Sequence, residues 1–544
     1  MNEAVHTSLY TIFLKRTHHE DRHLLVHGYT GAIDYVSDAV MDFLRAGGRQ
    51  HDLTTKAELD ASTTDHLLAR GYLTSRTPYE ERDHVRRLAN LLHRKERVIK
   101  NWLFLVAYDC NFRCPYCFEN GISSAGKSWS KKVFTRNAVD QAYRAMLEIE
   151  PNREAHDQTI TLYGGEPLMA QNKEIVDYII EQGTARGYSF SAITNGYDLE
   201  HFTQHLRPDR LSKLQITIDG TQEKHDQRRT HYQAGRSFDK IICNVQVALD
   251  LGVAISIRVN TDVNNFADIR ALRAQFQALG FFDYPHFRMY SALIHGNGEE
   301  MNCNTIMAGT HEAAGANDRV VEELPGLPTA LPTYDPDAQY VNFDVAESRH
   351  RPTQGEATSI QFFHNPYAEA EKIKTFNRSQ YIKTFMEDTK QHGDQSGHVV
   401  ACQDFGIRGR VRKVLEGRGL MEFKATYCGA QTSMMVFDPY GDMYTCWELV
   451  GMDRHKVGDY REGVTYYDEE LRNWYGRNVG TTQACGQCKY AFFCGGGCMA
   501  GALREGRGYN SPYCDGFPKT FQEVVPDAVR QFEQERSRVA VPAC

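Results

Sequence analysis

The strongest constraint on the fold is a regular alternation of apolar segments and amphipathic stretches between residues 101 and 295. The apolar segments are short and rich in β-branched and aromatic residues, which predicts strands, whereas stretches such as 176–183 and 241–252 have the apolar spacing of helices. Repeated β–α units of this length predict a parallel sheet with helices outside it, either doubly wound or curved into a barrel. The expected strands are residues 101–107, 159–163, 190–194, 214–219, 254–259 and 286–291.

Three cysteines, Cys110, Cys114 and Cys117, follow the first expected strand with the spacing C-x3-C-x2-C. In parallel α/β folds, ligands bind at the carboxyl ends of the strands, which is where this loop begins. A closed structural zinc site takes four protein ligands, so three thiolates leave one coordination position for a substrate. The spacing alone is compatible with zinc and with an iron–sulfur cluster, whose ligands are also cysteine thiolates.

Cysteine usage across the chain also indicates metal binding. The 544 residues include 14 cysteines, and no apolar run is long enough to span a bilayer or to act as a secretory signal. We therefore expect a cytoplasmic protein, whose thiols stay reduced and whose clustered cysteines bind metal rather than form disulfides. Because a formal charge of −8 provides no basic field, we expect no nucleic-acid partner, and no membrane partner either.

Two further motifs follow the second and third expected strands. Gly164, Gly165 and Glu166 begin a GGEP sequence, and Asn195 is the centre of a TNG sequence. Two glycines let the backbone approach a ligand closely, and a carboxylate accepts hydrogen bonds from an ammonium group. Together with the cysteine loop, these motifs resemble the signature of the radical S-adenosylmethionine (radical SAM) enzymes.

The resemblance implies an α/β fold with a partial (β/α)6 barrel and a defined cofactor site. In this family the three cysteines hold a [4Fe-4S] cluster, whose open iron binds the amino and carboxylate groups of SAM, and reduction of SAM yields a 5′-deoxyadenosyl radical. The GGEP motif is expected to hold the SAM amino group, a threonine and an arginine the ribose and carboxylate, and a leucine the adenine. The implied SAM contacts are Tyr116, Gly164, Gly165, Glu166, Asn195, Thr217, Arg229 and Leu293.

A second set of seven cysteines lies between residues 428 and 514 and follows the pattern C-x9-15-G-x4-C, gap, C-x2-C-x5-C-x3-C, gap, C. This pattern resembles the SPASM extension of radical SAM enzymes, which carries two auxiliary [4Fe-4S] clusters and makes three clusters in all. A zinc ribbon is the alternative for such spacing. The resemblance implies that auxiliary cluster I is held by Cys428, Cys446 and Cys498, and auxiliary cluster II by Cys485, Cys488, Cys494 and Cys514. The fourth ligand of cluster I is left open, either Cys402 or a substrate thiolate.

One position departs from the sulfatase-maturing members of the family. Those members have an aspartate base directly after the second cysteine of the extension, whereas this chain has Trp447, followed by Glu448. A general base must reach the proton that it removes, and a tryptophan side chain cannot accept one. No catalytic acid or base is therefore assigned from the sequence.

The chain divides into five expected regions. The first, residues 1–98, contains small strands and helices and resembles a winged-helix module that recognises a leader peptide; a cap packed on the main domain is the alternative. The radical SAM core spans residues 99–295, a bridging insertion with a helix near 366–388 spans 296–425, and the SPASM domain spans 426–520. The last region, 521–544, is a C-terminal helix and tail.

The function implied by the resemblance is maturation of a peptide. We expect a radical SAM peptide maturase that forms a thioether or carbon–carbon cross-link in a ribosomally made precursor, with an electron donor such as flavodoxin or ferredoxin. Two alternatives remain open at this point. One is dehydrogenation of a protein side chain or small molecule, as in anaerobic sulfatase maturases, and the other is a non-catalytic iron–sulfur electron carrier.

Overall fold

The structure is a computed structural model that describes residues 5–14, 22–47, 59–117, 127–294, 375–392, 401–402 and 404–539. Most of the expected insertion, with Cys303, lies outside the described residues, as does the end of the tail with Cys544. Within the described ranges, no helix is both long and apolar enough to cross a membrane.

The N-terminal module combines a small antiparallel sheet with three helices. Strands β2, β3 and β4 pair in that order, and β1 pairs with β5. The strands are β1 His6–Thr7, β2 Thr11–Phe13, β3 His23–His27, β4 Ile33–Val36 and β5 Leu73–Thr74. The helices are α1 Asp38–Arg45, α2 Ala61–Arg70 and α3 Pro78–Glu96.

Capping residues set the ends of these helices. The side chain of Ser37 accepts a hydrogen bond from the Val40 N–H and starts α1, as expected for an N-cap serine. Helix α2 ends at Gly71, whose φ of 91° lies in the left-handed region that favours glycine. Thr77 and Glu80 form a capping box at the start of α3.

The predicted β–α alternation is confirmed as six adjacent parallel strands. Each expected strand is present within three residues of its predicted bounds, and neighbours along the chain are neighbours in the sheet. The strands are β6 Asn101–Ala107, β7 Thr159–Gly164, β8 Ser189–Thr194, β9 Leu211–Thr217, β10 Ala254–Thr261 and β11 Phe287–Leu293. The accompanying helices are α4 Lys127–Ser130, α5 Arg136–Ile149, α6 Lys173–Ala185, α7 Gln222–Arg228, α8 Phe238–Asp250 and α9 Asp268–Ala278.

The cysteine-rich extension continues the same sheet rather than forming a separate one. Strand β13 pairs with β6 in parallel, and β14, β15 and β16 follow it as antiparallel neighbours, while β12 adds to the other edge beside β11. These strands are β12 Ala401–Cys402, β13 Met434–Phe437, β14 Asp442–Tyr444, β15 Gly458–Asp459 and β16 Thr465–Tyr466. The result is one sheet of eleven strands.

The helices of the second half surround this extension. The helix expected near 366–388 begins only at Arg378 and ends at His392, as α10; residues 366–374 of that prediction lie outside the described residues. The final helix begins at Phe517. The helices are α10 Arg378–His392, α11 Ile407–Leu415, α12 Asp468–Tyr475, α13 Gln483–Gly486, α14 Ala491–Cys494, α15 Met499–Arg504 and α16 Phe517–Val539. Short 3-10 turns occupy Arg153–Ala155, Ala170–Asn172, Leu199–His205, Phe281–Asp283, Gly429–Gln431, Trp447–Leu449 and Asp453–His455.

The N-terminal module packs directly on the cysteine-rich extension. The Tyr10 hydroxyl donates to the Gly486 carbonyl at 2.6 Å, and the Lys489 ammonium lies 3.4 Å from the Thr11 carbonyl. A Cβ atom at Gly28 would lie 2.4 Å from the carbonyl oxygen of Lys489, so only glycine permits this approach. The module is therefore seated on the loop that carries Cys488.

Candidate cofactor sites

The first cysteine loop leaves the carboxyl end of β6 and is held by backbone hydrogen bonds. The Cys117 N–H donates to the Cys114 carbonyl at 3.2 Å, and the Phe112 N–H lies 3.3 Å from the Cys110 sulfur. Burial raises the pKa of Cys110, and so do the nearby charges of Glu166, Cys114 and Cys117. Because metal ligation requires thiolates, a bound cation is what would keep these buried thiols ionised.

The GGEP turn passes against the cysteine loop at van der Waals distance. The Gly165 N–H donates to the Ala107 carbonyl at 3.0 Å. A Cβ at Gly164 would lie 2.2 Å from that same carbonyl oxygen, and one at Gly165 would lie 2.3 Å from the Asp109 carbonyl oxygen. Both glycines are therefore required for the two loops to meet.

Glu166 connects the ends of β7 and β8. Its buried carboxylate accepts hydrogen bonds from the Thr194 hydroxyl at 2.6 Å, the Asn195 N–H at 2.6 Å and the Leu168 N–H at 2.9 Å. Burial raises the pKa of Glu166 to about 7, against the opposing effect of these donors. The contacts give Glu166 a role in positioning the TNG turn, while its contact with the SAM amino group stays a prediction.

Asn195 extends this connection back to the cysteine loop. Its amide donates to the Asn111 side-chain oxygen at 2.7 Å, and the Asn111 amide donates to Asp198 at 3.1 Å. Sequence reasoning did not single out Asn111, although it lies directly after the first cysteine. Its position inside the cysteine loop is the sequence signal by which it could have been identified.

A second polar network surrounds Tyr116. Its hydroxyl makes a short hydrogen bond to the Asp219 carboxylate and accepts one from Arg229 at 2.8 Å. The Asn260 N–H donates to the other Asp219 oxygen at 3.0 Å. Arg228 pairs with the same carboxylate group at 3.7 Å. Asp219 was missed in the sequence, yet it joins the cysteine loop to the ends of β9 and β10.

One guanidinium nitrogen of Arg229 has no hydrogen-bond partner among the described residues. The residue is 8% exposed, and its Nε is buried without a hydrogen-bond partner. A buried guanidinium with an unused donor is suited to a carboxylate. The donor therefore fits the carboxylate of SAM, the group that the resemblance implies for this arginine.

The other two implied SAM contacts lie at the carboxyl edge of the same sheet. Thr217 is the last residue of β9, and Leu293 is the last residue of β11. Both are buried, at 8% and 3% exposure. The structure thus brings the implied SAM contacts to the strand ends beside the first cysteine loop.

The second cysteine set divides electrostatically into the two groups that the resemblance implies. After burial, the pKa of Cys446 is raised by Glu448, Cys428 and Cys498. The pKa of Cys494 is raised by burial and then by the charges of the remaining group, Cys514, Cys485 and Cys488. Seven cysteines thus form one group of three and one group of four.

Cys402 has different neighbours. Burial raises the pKa of Cys402 to about 12, and the charges that act on it are those of Asp404, Arg408 and Arg378 rather than of a cysteine. The carboxylate that acts on the group of three is Glu448, which also pairs with Arg504 at 2.8 Å. The surroundings of Cys402 do not favour it as the fourth ligand of cluster I, and that assignment stays a prediction.

Trp447 links the extension to the GGEP strand. Its ring centroid lies 6.0 Å from that of Tyr163, the residue directly before Gly164, and its side chain is 36% exposed. The residue that replaces the expected aspartate base is therefore an aromatic side chain at the edge of the implied SAM site.

Residues 99–242 match the family model described as a 4Fe-4S single cluster domain. The match covers the first cysteine loop and the GGEP and TNG motifs, which the structure brings together at one edge of the sheet. Over these residues the chain therefore has the motifs of an iron–sulfur cluster domain.

Two solved structures resemble this chain. One is anSMEcpe with bound AdoMet, which is 15% identical with a TM-score of 0.49, and the match covers 80% of this chain and 99% of that chain. The other is Streptococcus suis SuiB bound to the precursor peptide SuiA, which is 11% identical with a TM-score of 0.46, and the match covers 94% of this chain and 99% of that chain.

Proposed function

We propose that this chain is a radical SAM enzyme with a SPASM extension, and that it is a peptide maturase that forms a thioether or carbon–carbon cross-link in a ribosomally made precursor peptide. When bound, SAM and the clusters supply a 5′-deoxyadenosyl radical and an acceptor for the surplus electron. The proposal includes three [4Fe-4S] clusters, held by the cysteines grouped above, and SAM bound at the strand ends. A flavodoxin or ferredoxin as electron donor and a cytoplasmic location belong to the same proposal.

The observation that carries this proposal is the position of Trp447. A dehydrogenation that relies on a protein base needs a proton acceptor beside the substrate radical. Here the residue that occupies the position of that base is an aromatic ring, whose centroid lies 6.0 Å from that of Tyr163. The carboxylate next in sequence, Glu448, is paired with Arg504. Hydrogen abstraction by a radical needs no protein base in either route, but the dehydrogenation route then needs a base that takes a proton from the substrate radical. A tryptophan at this position therefore favours coupling of the peptide radical to a second residue.

The chain's own residues would exclude water and orient SAM during this chemistry. Gly164 and Gly165 let the GGEP turn approach the cysteine loop, and the free donor of Arg229 would bind the SAM carboxylate. Closing the site with buried side chains limits side reactions of a radical with solvent. The six parallel strands are proposed to curve as a partial barrel around this site.

The N-terminal module is proposed to recognise a leader peptide through the edge of β4. Among the described residues, β4 pairs only with β3. This edge strand borders a cavity of about 330 Å³ between the module and the C-terminal helix, with apolar lining from Ile33, Leu415 and Phe532 and charged lining from Asp34, Glu533 and Arg536. An extended peptide can add to such an edge and place alternate side chains in an apolar groove.

The experiment is anaerobic reconstitution with SAM, dithionite and candidate precursor peptides, chosen from short open reading frames that adjoin the gene. We expect 5′-deoxyadenosine and a loss of two hydrogens from the peptide. Tandem mass spectrometry then decides between the two enzymatic alternatives. Missing fragment ions between two linked residues indicate a cross-link, whereas complete fragmentation with the loss on one residue indicates dehydrogenation.

Two controls separate the parts of the proposal. Removing residues 1–98 should weaken peptide binding while 5′-deoxyadenosine formation continues, if the module recognises a leader. A peptide of unchanged mass while 5′-deoxyadenosine accumulates would contradict the choice of substrate. No 5′-deoxyadenosine from fully reconstituted protein would favour the non-catalytic electron carrier.

A further inference from the structure

Arg477 lies in the interior of the cysteine-rich extension, two residues after α12. It is 1% exposed and is among the largest fully buried side chains of the described chain. Its guanidinium donates to the backbone carbonyls of Gly496 at 2.8 Å, Gly497 at 3.1 Å and Ser511 at 2.9 Å. The residue thus holds two separate segments of the extension together.

Those carbonyls belong to the segments that carry cluster ligands. Gly496 and Gly497 lie between Cys494, in the group of four, and Cys498, in the group of three. Ser511 lies three residues before Cys514. The guanidinium is therefore bonded to the short connection between the two ligand groups.

The geometry also brings this positive charge close to a cluster ligand. A Cβ at Gly496 would lie 3.7 Å from both terminal guanidinium nitrogens of Arg477 and 3.7 Å from the Cys485 sulfur. The remaining guanidinium nitrogen, Nε, is buried without a hydrogen-bond partner. Only a thin layer of backbone therefore separates the guanidinium from the thiolates.

No carboxylate of the described chain lies within ion-pair distance of Arg477, and its hydrogen-bond acceptors are all uncharged carbonyls. The buried Arg378 of the same region differs, because it pairs with Asp515 at 2.6 Å. A buried charge is costly unless an opposite charge compensates it. An anion is therefore required near Arg477, and the thiolate groups are the nearest source.

Both ligand groups act on this arginine. Burial lowers the pKa of Arg477, and the negative charges of Cys485, Cys494, Cys498 and Cys428 act in the opposite direction. The first two cysteines belong to the group of four and the last two to the group of three. The electrostatic influence of the guanidinium therefore extends to both groups.

We propose that Arg477 is the shared counter-ion of the two auxiliary clusters and raises the reduction potentials of both. The inference rests on the proposed assignment of the two cysteine groups to clusters. A cluster bound by cysteine thiolates is anionic, and reduction adds a further negative charge. A buried cation between two such clusters stabilises their reduced states, because its field is weakly screened in the interior.

The test compares Arg477→Lys and Arg477→Gln with the wild type. Each protein is reconstituted anaerobically, its iron content is measured, and its clusters are titrated by EPR at controlled potential without peptide. In Arg477→Gln we expect the reduction equilibrium of both auxiliary clusters to become less favourable by at least about tenfold. For one electron this corresponds to a reduction potential that is lower by ~59 mV. In Arg477→Lys we expect most of the potential to be retained.

Two internal references isolate the effect of charge. The SAM cluster should keep its potential in both variants, since its ligands lie in the first cysteine loop. Arg472→Gln removes an arginine of α12 that is 59% exposed and pairs with Asp468, and it should leave all potentials unchanged. A general loss of structure would change the reduction potential of the SAM cluster as well.

Several results would overturn the proposal. Unchanged auxiliary potentials in Arg477→Gln, or equal shifts in the Lys and Gln variants, would show that the hydrogen bonds and not the charge matter. Loss of the auxiliary clusters from both variants would lead to the same conclusion, whereas loss from Arg477→Gln alone would support the need for charge. Wild-type protein with iron for only one cluster would instead refute the cluster assignment. None of these measurements depends on peptide maturation, so that proposal stands or fails separately.

Discussion

The SAM site and the auxiliary region both contain buried arginines, but they balance the positive charge in different ways. In the SAM site, Arg228 lies 3.1 Å from Asp262 and 3.7 Å from Asp219. In the auxiliary region, Arg477 contacts backbone carbonyls and two groups of cysteines. The proposed SAM site is thus balanced by protein carboxylates, and the Arg229 Nε has no hydrogen-bond partner among the described residues, which leaves it for the exchangeable cofactor that we propose.

The proposed auxiliary region, by contrast, would reach charge balance through the anionic clusters that we assign to it. A cofactor that enters and leaves in each turnover requires a site that is stable without it. Permanently bound clusters can be part of the structure, because metal binding free energy is then also folding free energy. We therefore expect the SAM site to be stable without its cofactor, and the auxiliary region to depend on its clusters for stability.

The largest expected effect separates the two regions by their ligands. Cys114→Ala removes a proposed ligand of the SAM cluster, and we expect SAM cleavage to fall by at least ~100-fold, since even residues behind the ligands typically contribute 10–100-fold. Cys494→Ala removes a proposed ligand of auxiliary cluster II, and we expect it to impair peptide modification and overall stability while 5′-deoxyadenosine formation continues. Chromatography of 5′-deoxyadenosine with iron analysis distinguishes the two. Equal loss of SAM cleavage in both variants would contradict the separation.

The carboxylate network of the SAM site gives the next effect. Asp219→Asn leaves Arg228 with one carboxylate instead of two and removes the charged partner of Tyr116, so we expect a stability loss of about 3 kcal/mol. Anaerobic urea unfolding followed by tryptophan fluorescence measures the change. Asp209→Asn is the matched control, because Asp209 pairs with Arg207 at the exposed surface; it should leave the unfolding midpoint unchanged. A stable Asp219→Asn variant would show that the network is not needed for folding.

The motifs at the strand ends are predictable because each is local. The cysteine loop, GGEP and TNG each lie within a few residues, and the alternation of the sequence places them after successive strands. Their partners are not local. Tyr116 and Asp219 are 103 residues apart, and a single aspartate after a strand has no feature that distinguishes it in the sequence.

In the auxiliary region too, the partners that are distant in the chain could not be predicted from the sequence. The cysteine spacing predicts two ligand groups, yet it contains no information about Arg477, whose partners are backbone carbonyls and therefore leave no mark on the sequence. The pairing of β13 with β6 was also missed, because it joins residues such as Met434 and Asn101 that are far apart in the chain. Long-range backbone pairing depends on how the elements pack rather than on local pattern.

The smallest expected effect is a dependence of stability on pH that is caused by Glu166. Its pKa is raised to about 7, from an ordinary value near 4.5, mainly by burial, so the folded protein holds a proton that the unfolded chain releases at lower pH. The stability from this proton is fully present below about pH 4.5 and is lost as the pH rises through 7. Between pH 6 and 8 we expect the free energy of unfolding to decrease by about 1 kcal/mol, and Glu166→Gln should remove this decrease.

Glu174→Gln alters an exposed glutamate of α6 and should keep the wild-type pH dependence of the free energy of unfolding, measured by anaerobic urea unfolding at the two pH values. If Glu166→Gln keeps that pH dependence too, the carboxylate is ionised throughout this range, and the three donors around it outweigh its burial.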